Sequence, residues 1–428
     1  MRLYSTLARD LVDLPEPSEG RIGMYVCGPT VYARAHIGNA RPYVLGCWYK
    51  RWLRERGYDV TLVHNITDVN DKIYEAAPGA SAERARQATE WYLEDTGRFG
   101  LDEVDHWPRA TETMDEIVRF IVDLIGRDYA YEVEGDVYFR VTRFEQYGRL
   151  SGQRLDQLED EEEKPNSRKD DPRDFALWKA NKPDEDTAWD SPWGRGRPGW
   201  HIECSAMAEK LLGPSFEIHG GGLDLVFPHH ENEVAQSRAL GHEFAKIWMH
   251  NGMLRNTGEK MSKSLGNFET IKDVLDRWGK DAVLLFFLTA HWRSPIDYSD
   301  ETMEQAKAQW TTFMNAFLDP ADRTDVGPAW QELEAALDDD FNTPAALALM
   351  HDWRRARNLD LLERALAIFG LDAAVSDAPP ELHELARKRQ EARAAKDFAR
   401  ADELRERIEA AGWDVRDDPD DSRLVPRQ

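Results

Sequence analysis

Short apolar runs and a helical period alternate over the first 65 residues of the chain. Residues 22–27 form an apolar run that predicts a buried strand, and Gly-Pro-Thr at 28–30 predicts a turn directly after it. A helical period follows over 38–56, and apolar positions alternate over 58–63 as in a second strand. Strand, helix and strand in this order form a βαβ unit, which predicts a parallel sheet with helices packed on it.

The next stretch has the pattern of a module inserted between parallel strands. Helical periods are predicted over 81–98 and 112–127, and a strand or hairpin over 131–141. The acidic run within 158–173 predicts a solvated loop, and the irregular Pro, Gly, Trp and Asp of 183–199 predict a long ordered loop.

Beyond residue 200 the pattern returns to helices and strands and then becomes almost wholly helical. The predicted elements are a helix over 202–212, a strand over 216–219 followed by three glycines, a helix from about 229, helices within 270–290, 333–350 and 361–369, and a helix or helix pair over 381–411. Pro379 and Pro380 mark a linker before the last of these, and a short polar tail follows it.

Composition narrows the class of protein. The chain has 428 residues, of which 41% are hydrophobic, so it is long enough for two to four domains and is not wholly disordered. Three cysteines exclude a disulfide framework and favour a reducing compartment. The longest apolar run, 282–288, is too short to span a bilayer, and the N-terminus has no signal-peptide pattern. We therefore expect a soluble, cytoplasmic protein without membrane contact.

The charge balance is strongly acidic. The net charge is −25, from 80 acidic against 55 basic residues, and arginine far outnumbers lysine. Such a surface fits a protein that works in high salt, where screening removes self-repulsion; an acidic protein of an ordinary cell is the alternative. Bases nevertheless cluster within 354–357 and 387–400, so a local basic face for nucleic acid is compatible with the net charge.

Residue types suited to zinc occur at separate points of the chain. His229 and Glu233 lie four apart at the start of a predicted helix and so share one of its sides. Cys27 ends the first predicted strand, and Cys204 lies within a predicted helix. Two thiolates, an imidazole and a carboxylate are ligands that zinc prefers.

Spacing alone leaves this ligand set open. The chain has no short Cys-x-x-Cys spacing, and His230 and Glu231 are rival ligands on the same segment. Two core cysteines and a solvated helix face are the alternative explanation. The predicted zinc site therefore depends on the fold bringing distant segments together.

Three further segments suit a nucleotide. His36-Ile37-Gly38-Asn39 begins the first predicted helix, where free amides and the helix dipole attract anions. Lys260-Met261-Ser262-Lys263-Ser264 lies in a Gly- and Asn-flanked loop, and its ammonium groups can favour the charge that develops when pyrophosphate leaves. Asp224 follows the glycine triplet and can accept hydrogen bonds from ribose hydroxyls.

These segments together resemble one family. Residues 36–39 and 260–264 are similar to the two signatures of class I aminoacyl-tRNA synthetases. Residues 25–32, 65–68, 199–207 and 220–233 resemble the cysteinyl-tRNA synthetases specifically, and the likeness continues through 337–344 and 393–398.

The resemblance implies an α/β fold with a doubly wound, Rossmann-like parallel sheet and all-α C-terminal domains. It implies a catalytic domain over 1–300, with an inserted module at about 115–195 and a lysine-loop region at about 246–290. A helical bundle over 301–376 and a small anticodon-binding domain over 377–428 would follow.

The resemblance also implies an activity. The enzyme would be a monomer that activates L-cysteine with ATP and Mg²⁺ and then transfers the cysteinyl group to tRNA(Cys). The implied residues are zinc ligands Cys27, Cys204, His229 and Glu233; amino-acid contacts Gly28, Thr67 and Trp200; phosphate contacts His36 and Asn39; the ribose contact Asp224; and the transition-state lysines Lys260 and Lys263.

Some positions depart from the family pattern, and two other functions compete. Asn39 stands where the class signature usually has a second histidine, and 417–425 lacks the Gly and Trp often found near the family's C-terminus. A ligase that joins cysteine to an amino-sugar inositol in mycothiol synthesis would share the zinc and phosphate motifs but would not need the helical C-terminal region. A tRNA-binding paralogue without catalysis would not need the lysine loop.

Overall fold

The chain folds into a parallel-sheet domain with an inserted antiparallel module, followed by helices and a terminal hairpin. The structure is a computed structural model that describes residues 1–14, 20–155, 168–256, 259–260, 268–318, 323–372, 378–417 and 422–426. Its strands are β1 (Arg2–Ser5), β2 (Asp10–Asp13), β3 (Arg21–Val26), β4 (Asp59–His64), β5 (Ala130–Val133), β6 (Asp136–Phe139), β7 (Phe175–Ala180), β8 (Gly196–Pro198), β9 (Ser215–Gly222), β10 (Phe244–Asn251), β11 (Leu254–Asn256), β12 (Glu259–Lys260), β13 (Ile296–Tyr298), β14 (Trp413–Asp417) and β15 (Ser422–Pro426).

The helices lie on and beyond these strands. They are α1 (Ala40–Glu55), α2 (Asp71–Ala76), α3 (Ser81–Gly97), α4 (Met114–Gly126), α5 (Trp200–Leu212), α6 (Glu231–Ala239), α7 (Ile271–Trp278), α8 (Lys280–Leu288), α9 (Asp300–Leu318), α10 (Trp330–Asp338), α11 (Thr343–Ala356), α12 (Leu359–Ile368), α13 (Pro380–Ala394) and α14 (Phe398–Ala410). In the described part of the chain, no helix is both long and apolar enough to cross a membrane.

The central sheet has the strand order β10-β9-β3-β4, and every neighbouring pair is parallel. This confirms the parallel sheet predicted from the βαβ pattern. The buried strands read as nearly continuous apolar runs because helices cover the sheet, and α1 packs on it where Gly46 lies beside Val26 and Leu62. The N-terminus of α1 and the carboxyl ends of the strands are thereby held at one edge.

The inserted module lies between β4 and β9 in sequence and forms an antiparallel sheet of order β5-β6-β7-β8. Its own apolar core includes Phe139, Phe175 and Trp178. The hairpin predicted over 131–141 is confirmed as β5 and β6, whereas most of the acidic run predicted as a loop lies outside the described residues.

The C-terminal part packs back onto α1. Trp48 donates through Nε1 to the carbonyl of Phe369 at 2.9 Å, and Trp52 donates to Asp338 at 3.0 Å. Beyond the proline linker, α13 and α14 pair, and the predicted polar tail instead forms the antiparallel hairpin β14–β15. That hairpin was not predicted, although Trp413 and Val415 alternate with polar residues over the five residues of β14. Leu424 is buried in the same apolar cluster as Ile408 and Leu382.

A cluster of ion pairs around the buried Arg197 connects the inserted module to α2. The Arg197 side chain is 3% exposed and donates through Nε to Glu185 at 3.0 Å and through Nη2 to Asp71. Lys179 reaches the other oxygen of Asp71 at 3.1 Å. Although burial acts in the opposite sense, Lys179 and Arg197 lower the pKa of Asp71 below its usual value. Lys179 of β7 and Arg197 of β8 thus both bind Asp71, the first residue of α2.

We expect Arg197→Met to lower the free energy of unfolding by about 3 kcal/mol, because the buried Glu185 carboxylate loses its buried partner. Urea unfolding measures the change, and Arg195→Met is the matched control, since its side chain is 69% exposed. Because the pKa of Asp71 is lower in the folded than in the unfolded chain, its carboxylate stabilises the fold at pH values above the unfolded pKa. This stabilisation is lost as the pH falls through the folded pKa. The difference between wild type and variant should therefore be full above about pH 4 and shrink on further acidification. Equal stability of wild type and Arg197→Met at pH 7 would contradict this assignment.

Candidate active site at the carboxyl edge of the central sheet

A cleft of about 250 Å³ opens at the carboxyl edge of the central sheet. Its walls come from 27–36 after β3, from 222–225 after β9 and from 251–254 at the end of β10. Strand register places Val26 beside His64 on one side and Gly220 on the other, so these strands end at a similar level. Open parallel sheets bind ligands at this edge.

Four side chains from three separate segments converge around Cys27, which lines the cleft. The Cys27 Sγ lies 3.7 Å from the Cys204 Sγ, 3.6 Å from His229 Nε2 and 3.7 Å from Glu233 Oε1. His229 Nε2 and Glu233 Oε1 are 3.2 Å apart. All four residues are at most 4% exposed. We call Cys27, Cys204, His229 and Glu233 the four-residue cluster.

The dimensions of the four-residue cluster fit a tetrahedral zinc ion. Bonds of about 2.3 Å to sulfur and about 2.0 Å to nitrogen or oxygen separate tetrahedral ligands by about 3.3–3.8 Å. The separations measured from Cys27 are 3.6–3.7 Å, and the nitrogen–oxygen separation is 3.2 Å. Sulfur, nitrogen and carboxylate donors in this arrangement match the chemistry of the metal.

Burial changes the pKa values of the two cysteines and of His229. It raises the pKa of the Cys27 and Cys204 thiols, and the negative charge of Glu233 adds to both shifts. It lowers the pKa of His229 well below its usual value, with smaller contributions from His201 and His219. The imidazole is therefore neutral and offers a lone pair, while the thiols need a nearby cation to ionise.

Further histidines support the four-residue cluster. His219 Nε2 lies 2.9 Å from Glu233 Oε2, and the Nδ1 atoms of His201 and His229 are 3.0 Å apart. Neither His201 nor His219 was predicted from the sequence to support the cluster. The available signal was a histidine in an apolar run, since His219 lies within the buried strand β9.

The two rival ligands named from the sequence take different positions. His230 stays close, with Nε2 3.3 Å from Cys27 Sγ and Nδ1 2.7 Å from His250 Nε2. With His219, Cys27 and Glu233 it forms a second group within ligand distance, but that group has a single sulfur. Glu231 points away from Cys27.

The Glu231 carboxylate is occupied elsewhere. It accepts hydrogen bonds from the backbone amides of Gly148 at 2.9 Å and Ser151 at 2.7 Å. Glu231 therefore holds a turn of the inserted module against α6, which leaves Glu233 as the carboxylate of the group that could hold a metal ion.

We expect His219→Phe to weaken metal binding about 10–100-fold, because Glu233 loses the group that orients it. The phenyl ring can keep the stacking that His219 makes with Trp248, whose ring centroid is 4.4 Å away. Competition with a chelator measures the affinity. His242→Phe is the control, since His242 pairs with Glu209 at 2.8 Å outside the cluster. Unchanged metal affinity in His219→Phe would contradict the orienting role.

The predicted phosphate contacts lie where α1 begins. His36 and Asn39 both line the cleft, and a single helical turn over Ile37–Asn39 leads directly into α1. Lys260 lies in β12, where its backbone pairs with Arg255 of β11. Lys263 lies outside the described residues.

The predicted amino-acid contacts surround Cys27. Gly28 lines the cleft and donates its amide to Asn65 Oδ1 at 2.8 Å. Trp200 also lines the cleft and stacks on His229 with ring centroids 4.2 Å apart. Thr67 is buried beside them: its backbone pairs with the strand end through Pro29 and Val31.

Asp224 and Lys72 face the same space. Asp224, predicted as the ribose contact, follows β9 and lines the same cleft as His36. Lys72, at the start of α2, also lines the cleft and was not singled out from the sequence; its Nζ lies 5.9 Å from the centroid of the Tyr32 ring. The cleft thus has acidic and basic groups beside the buried four-residue cluster.

Comparison with known proteins accounts for nearly the whole chain. A family described as the tRNA synthetases class I (C) catalytic domain matches residues 14–308. A DALR domain matches 332–371, and a cysteinyl-tRNA ligase anticodon binding domain matches 375–423.

Solved structures share the fold. Methionyl-tRNA synthetase of Mycobacterium tuberculosis, in complex with methionyl-adenylate, aligns with a TM-score of 0.57 at 15% identity, covering 82% of this chain and 89% of that one. LeuRS of Agrobacterium radiobacter K84 aligns with a TM-score of 0.59 at 12% identity, covering 84% and 85%. These likenesses confirm the class I α/β architecture.

Curated relatives are much more similar in sequence. Cysteine–tRNA ligase of Geobacillus sp. (strain WCH70) is 43% identical over 99% of this chain and 98% of its own length. Cysteine–tRNA ligase of Methylobacillus flagellatus is 43% identical over 98% of both chains. With the catalytic and anticodon-binding regions both matched, the chain belongs to the cysteine–tRNA ligase family of class I aminoacyl-tRNA synthetases.

Proposed function

We propose that this chain activates cysteine with ATP to form cysteinyl-adenylate and pyrophosphate, and then transfers the cysteinyl group to the 3′ end of tRNA(Cys) with release of AMP. The observation that carries the proposal is the position of Cys27, which belongs to the four-residue cluster and also lines the cleft that contains His36 and Asn39. A thiol-binding group and a phosphate-binding helix end therefore share one cavity.

Cys27, Cys204, His229 and Glu233 would hold one Zn²⁺ ion, and the sulfur-rich donor set supports this choice over the group with His219 and His230. When bound, zinc supplies a Lewis acid that prefers a substrate thiolate to the hydroxyl of serine. Cysteine and serine differ in little else, so an apolar pocket alone would separate them poorly.

The residues around the cluster would position the rest of the substrate. Trp200 covers His229 and forms one wall of the amino-acid space, while the fixed Gly28–Asn65 hydrogen bond holds the backbone beside Cys27. Thr67 would contribute from the adjoining buried segment. Together these contacts would present the cysteine carboxylate to the nucleotide, which is the main requirement of an in-line displacement.

The activation step needs no protein nucleophile. A carboxylate oxygen of cysteine attacks the α-phosphorus of ATP, the bond to the bridging oxygen breaks, and magnesium pyrophosphate leaves. His36 and Asn39 would bind phosphate oxygens, Asp224 would accept from ribose hydroxyls, and Lys260 and Lys263 would stabilise the charge that develops on the leaving group.

The C-terminal region supports tRNA as the acceptor. The matched anticodon-binding domain at 375–423 includes α13 and α14, which carry basic residues on exposed helix surfaces. An amino-sugar ligase would have no use for such a domain. A non-catalytic paralogue would have no need for the preserved metal-binding group beside the cleft.

The function is tested by cysteine-dependent exchange of pyrophosphate into ATP, followed by charging of tRNA(Cys). We expect exchange with cysteine, at least 100-fold weaker exchange with serine, and one equivalent of zinc per chain. Transfer of cysteine to an amino-sugar inositol instead of tRNA would favour the mycothiol-type ligase. Binding of tRNA without exchange would favour the paralogue. We further propose a monomer acting in the cytoplasm, which sedimentation and cell fractionation would test.

A further inference from the structure

Arg41 is a buried cation immediately behind the wall of the cleft. It lies in the first turn of α1, two residues after Asn39, and is 1% exposed. Its Nη1 donates to the carbonyls of Gly252 at 2.5 Å and Ser294 at 2.9 Å, and its Nη2 donates to the carbonyl of His291 at 3.2 Å. Gly252 itself lines the cleft.

The charge of Arg41 has no carboxylate partner among the residues that the structure describes. Its bonded acceptors are neutral carbonyls, and its buried Nε has no hydrogen-bond partner there. Burial lowers the pKa of Arg41 to about 10, so the guanidinium is still charged at neutral pH.

An unpaired buried charge is unfavourable for folding, and chains keep such features chiefly at functional sites. Elsewhere on the same helix, Arg51 also donates to two carbonyls, those of Leu101 and Ala367, but it pairs in addition with Glu103 at 2.9 Å. The anion that Arg41 lacks would be supplied by a ligand in the cleft beyond Gly252.

We propose that Arg41 is a positioning residue for ATP: its fixed positive charge, held behind the Gly252 wall, favours binding of the triphosphate. This proposal rests on the proposed function, because it takes ATP as the ligand of the cleft. The guanidinium acts through the wall and does not touch the substrate. In a poorly solvated setting, a charge one layer away still changes the affinity for an anion substantially.

The test distinguishes an electrostatic effect of the Arg41 charge on ATP from a structural effect of Arg41 on the Gly252 wall of the cleft. The affinities for ATP and for adenosine are measured for wild type, Arg41→Gln and Arg41→Lys. The affinity for adenosine is obtained from its competitive inhibition of pyrophosphate exchange. We expect Arg41→Gln to weaken ATP about tenfold while the affinities for adenosine and cysteine change less than about twofold. Arg41→Lys keeps the cation, so ATP affinity should stay within about threefold of wild type. Arg51→Gln is the matched control and should leave ATP affinity unchanged.

Several outcomes overturn the proposal. Equal weakening of ATP and adenosine by Arg41→Gln would mean that Arg41 only supports the wall. Unchanged ATP affinity in Arg41→Gln would remove any role in nucleotide binding. If Arg41→Gln does not fold, Arg41→Lys decides, because a tenfold weaker ATP affinity in that folded variant contradicts a role for charge. Absence of cysteine-dependent exchange in wild type would refute the proposed function instead, before any variant is compared.

Discussion

Cys204→Ser is expected to lower zinc content well below one equivalent per chain and to reduce kcat/KM for cysteine by at least about 100-fold. The Cys204 Sγ lies 3.7 Å from the Sγ of Cys27, which lines the cleft. A serine hydroxyl is a shorter and poorer ligand than a thiolate, so the remaining three donors cannot reproduce the tetrahedral set. Metal analysis of the purified variant and pyrophosphate exchange measure the two effects.

The third cysteine provides the control for this prediction. Cys47 is also fully buried, but it lies in the core on α1 and not in the four-residue cluster. Cys47→Ala should cost about 1 kcal/mol of stability and leave zinc content unchanged. Full zinc occupancy in Cys204→Ser would refute the assignment of Cys204 as a ligand, whatever happened to activity.

Gly28→Ala is expected to reduce cysteine activation about 100-fold or more and to destabilise the fold by about 3 kcal/mol. A Cβ at residue 28 would lie 1.7 Å from the Asn65 carbonyl oxygen and 2.9 Å from its carbon. Both are backbone atoms that cannot rotate away, so the segment must move. Because Cys27 is the next residue, that movement displaces a proposed zinc ligand together with the cleft wall.

Gly220→Ala is the matched control for Gly28→Ala. Gly220 lies on β9 beside Val26, yet its added Cβ would meet only ordinary contacts, the nearest being Val26 Cγ2 at 3.5 Å. We expect Gly220→Ala to change stability by less than about 1 kcal/mol and to retain exchange activity. Wild-type exchange in Gly28→Ala would show that the 28–65 contact does not set the position of Cys27. Thermal unfolding and exchange kinetics decide both cases.

Much of the fold followed from local pattern. The helices predicted over 81–98 and 112–127 are present as α3 and α4, with ends that differ by one or two residues. The apolar positions of each helix recur at the helical period, and α3 and α4 pack into two different apolar clusters, so local and tertiary preferences agree in both cases. Prediction was less complete at the C-terminus, where the five-residue alternation of Trp413 and Val415 with polar residues was interpreted as part of a polar tail.

The candidate site depended more heavily on long-range contacts. Sequence spacing left His230 and Glu231 as possible ligands, because both lie on the same short segment as His229 and Glu233. Two backbone amides of the inserted module occupy Glu231, and they come from residues about 80 positions away in the chain. The sequence around Glu231 does not indicate that these distant amides bind its carboxylate.

The sequence by itself determined the kinds of chemistry available to this protein: soft metal ligands, a helix start suited to phosphate, a lysine loop and a likeness to one synthetase family. These properties depend on residue type and short spacing, which are local. The tertiary structure alone decided that Cys27, Cys204, His229 and Glu233 meet beside a single cleft, and that Arg41 lies behind its wall. Such distances arise from strand order and packing between segments nearly 200 residues apart, since Cys27 and Cys204 are separated by 177 positions.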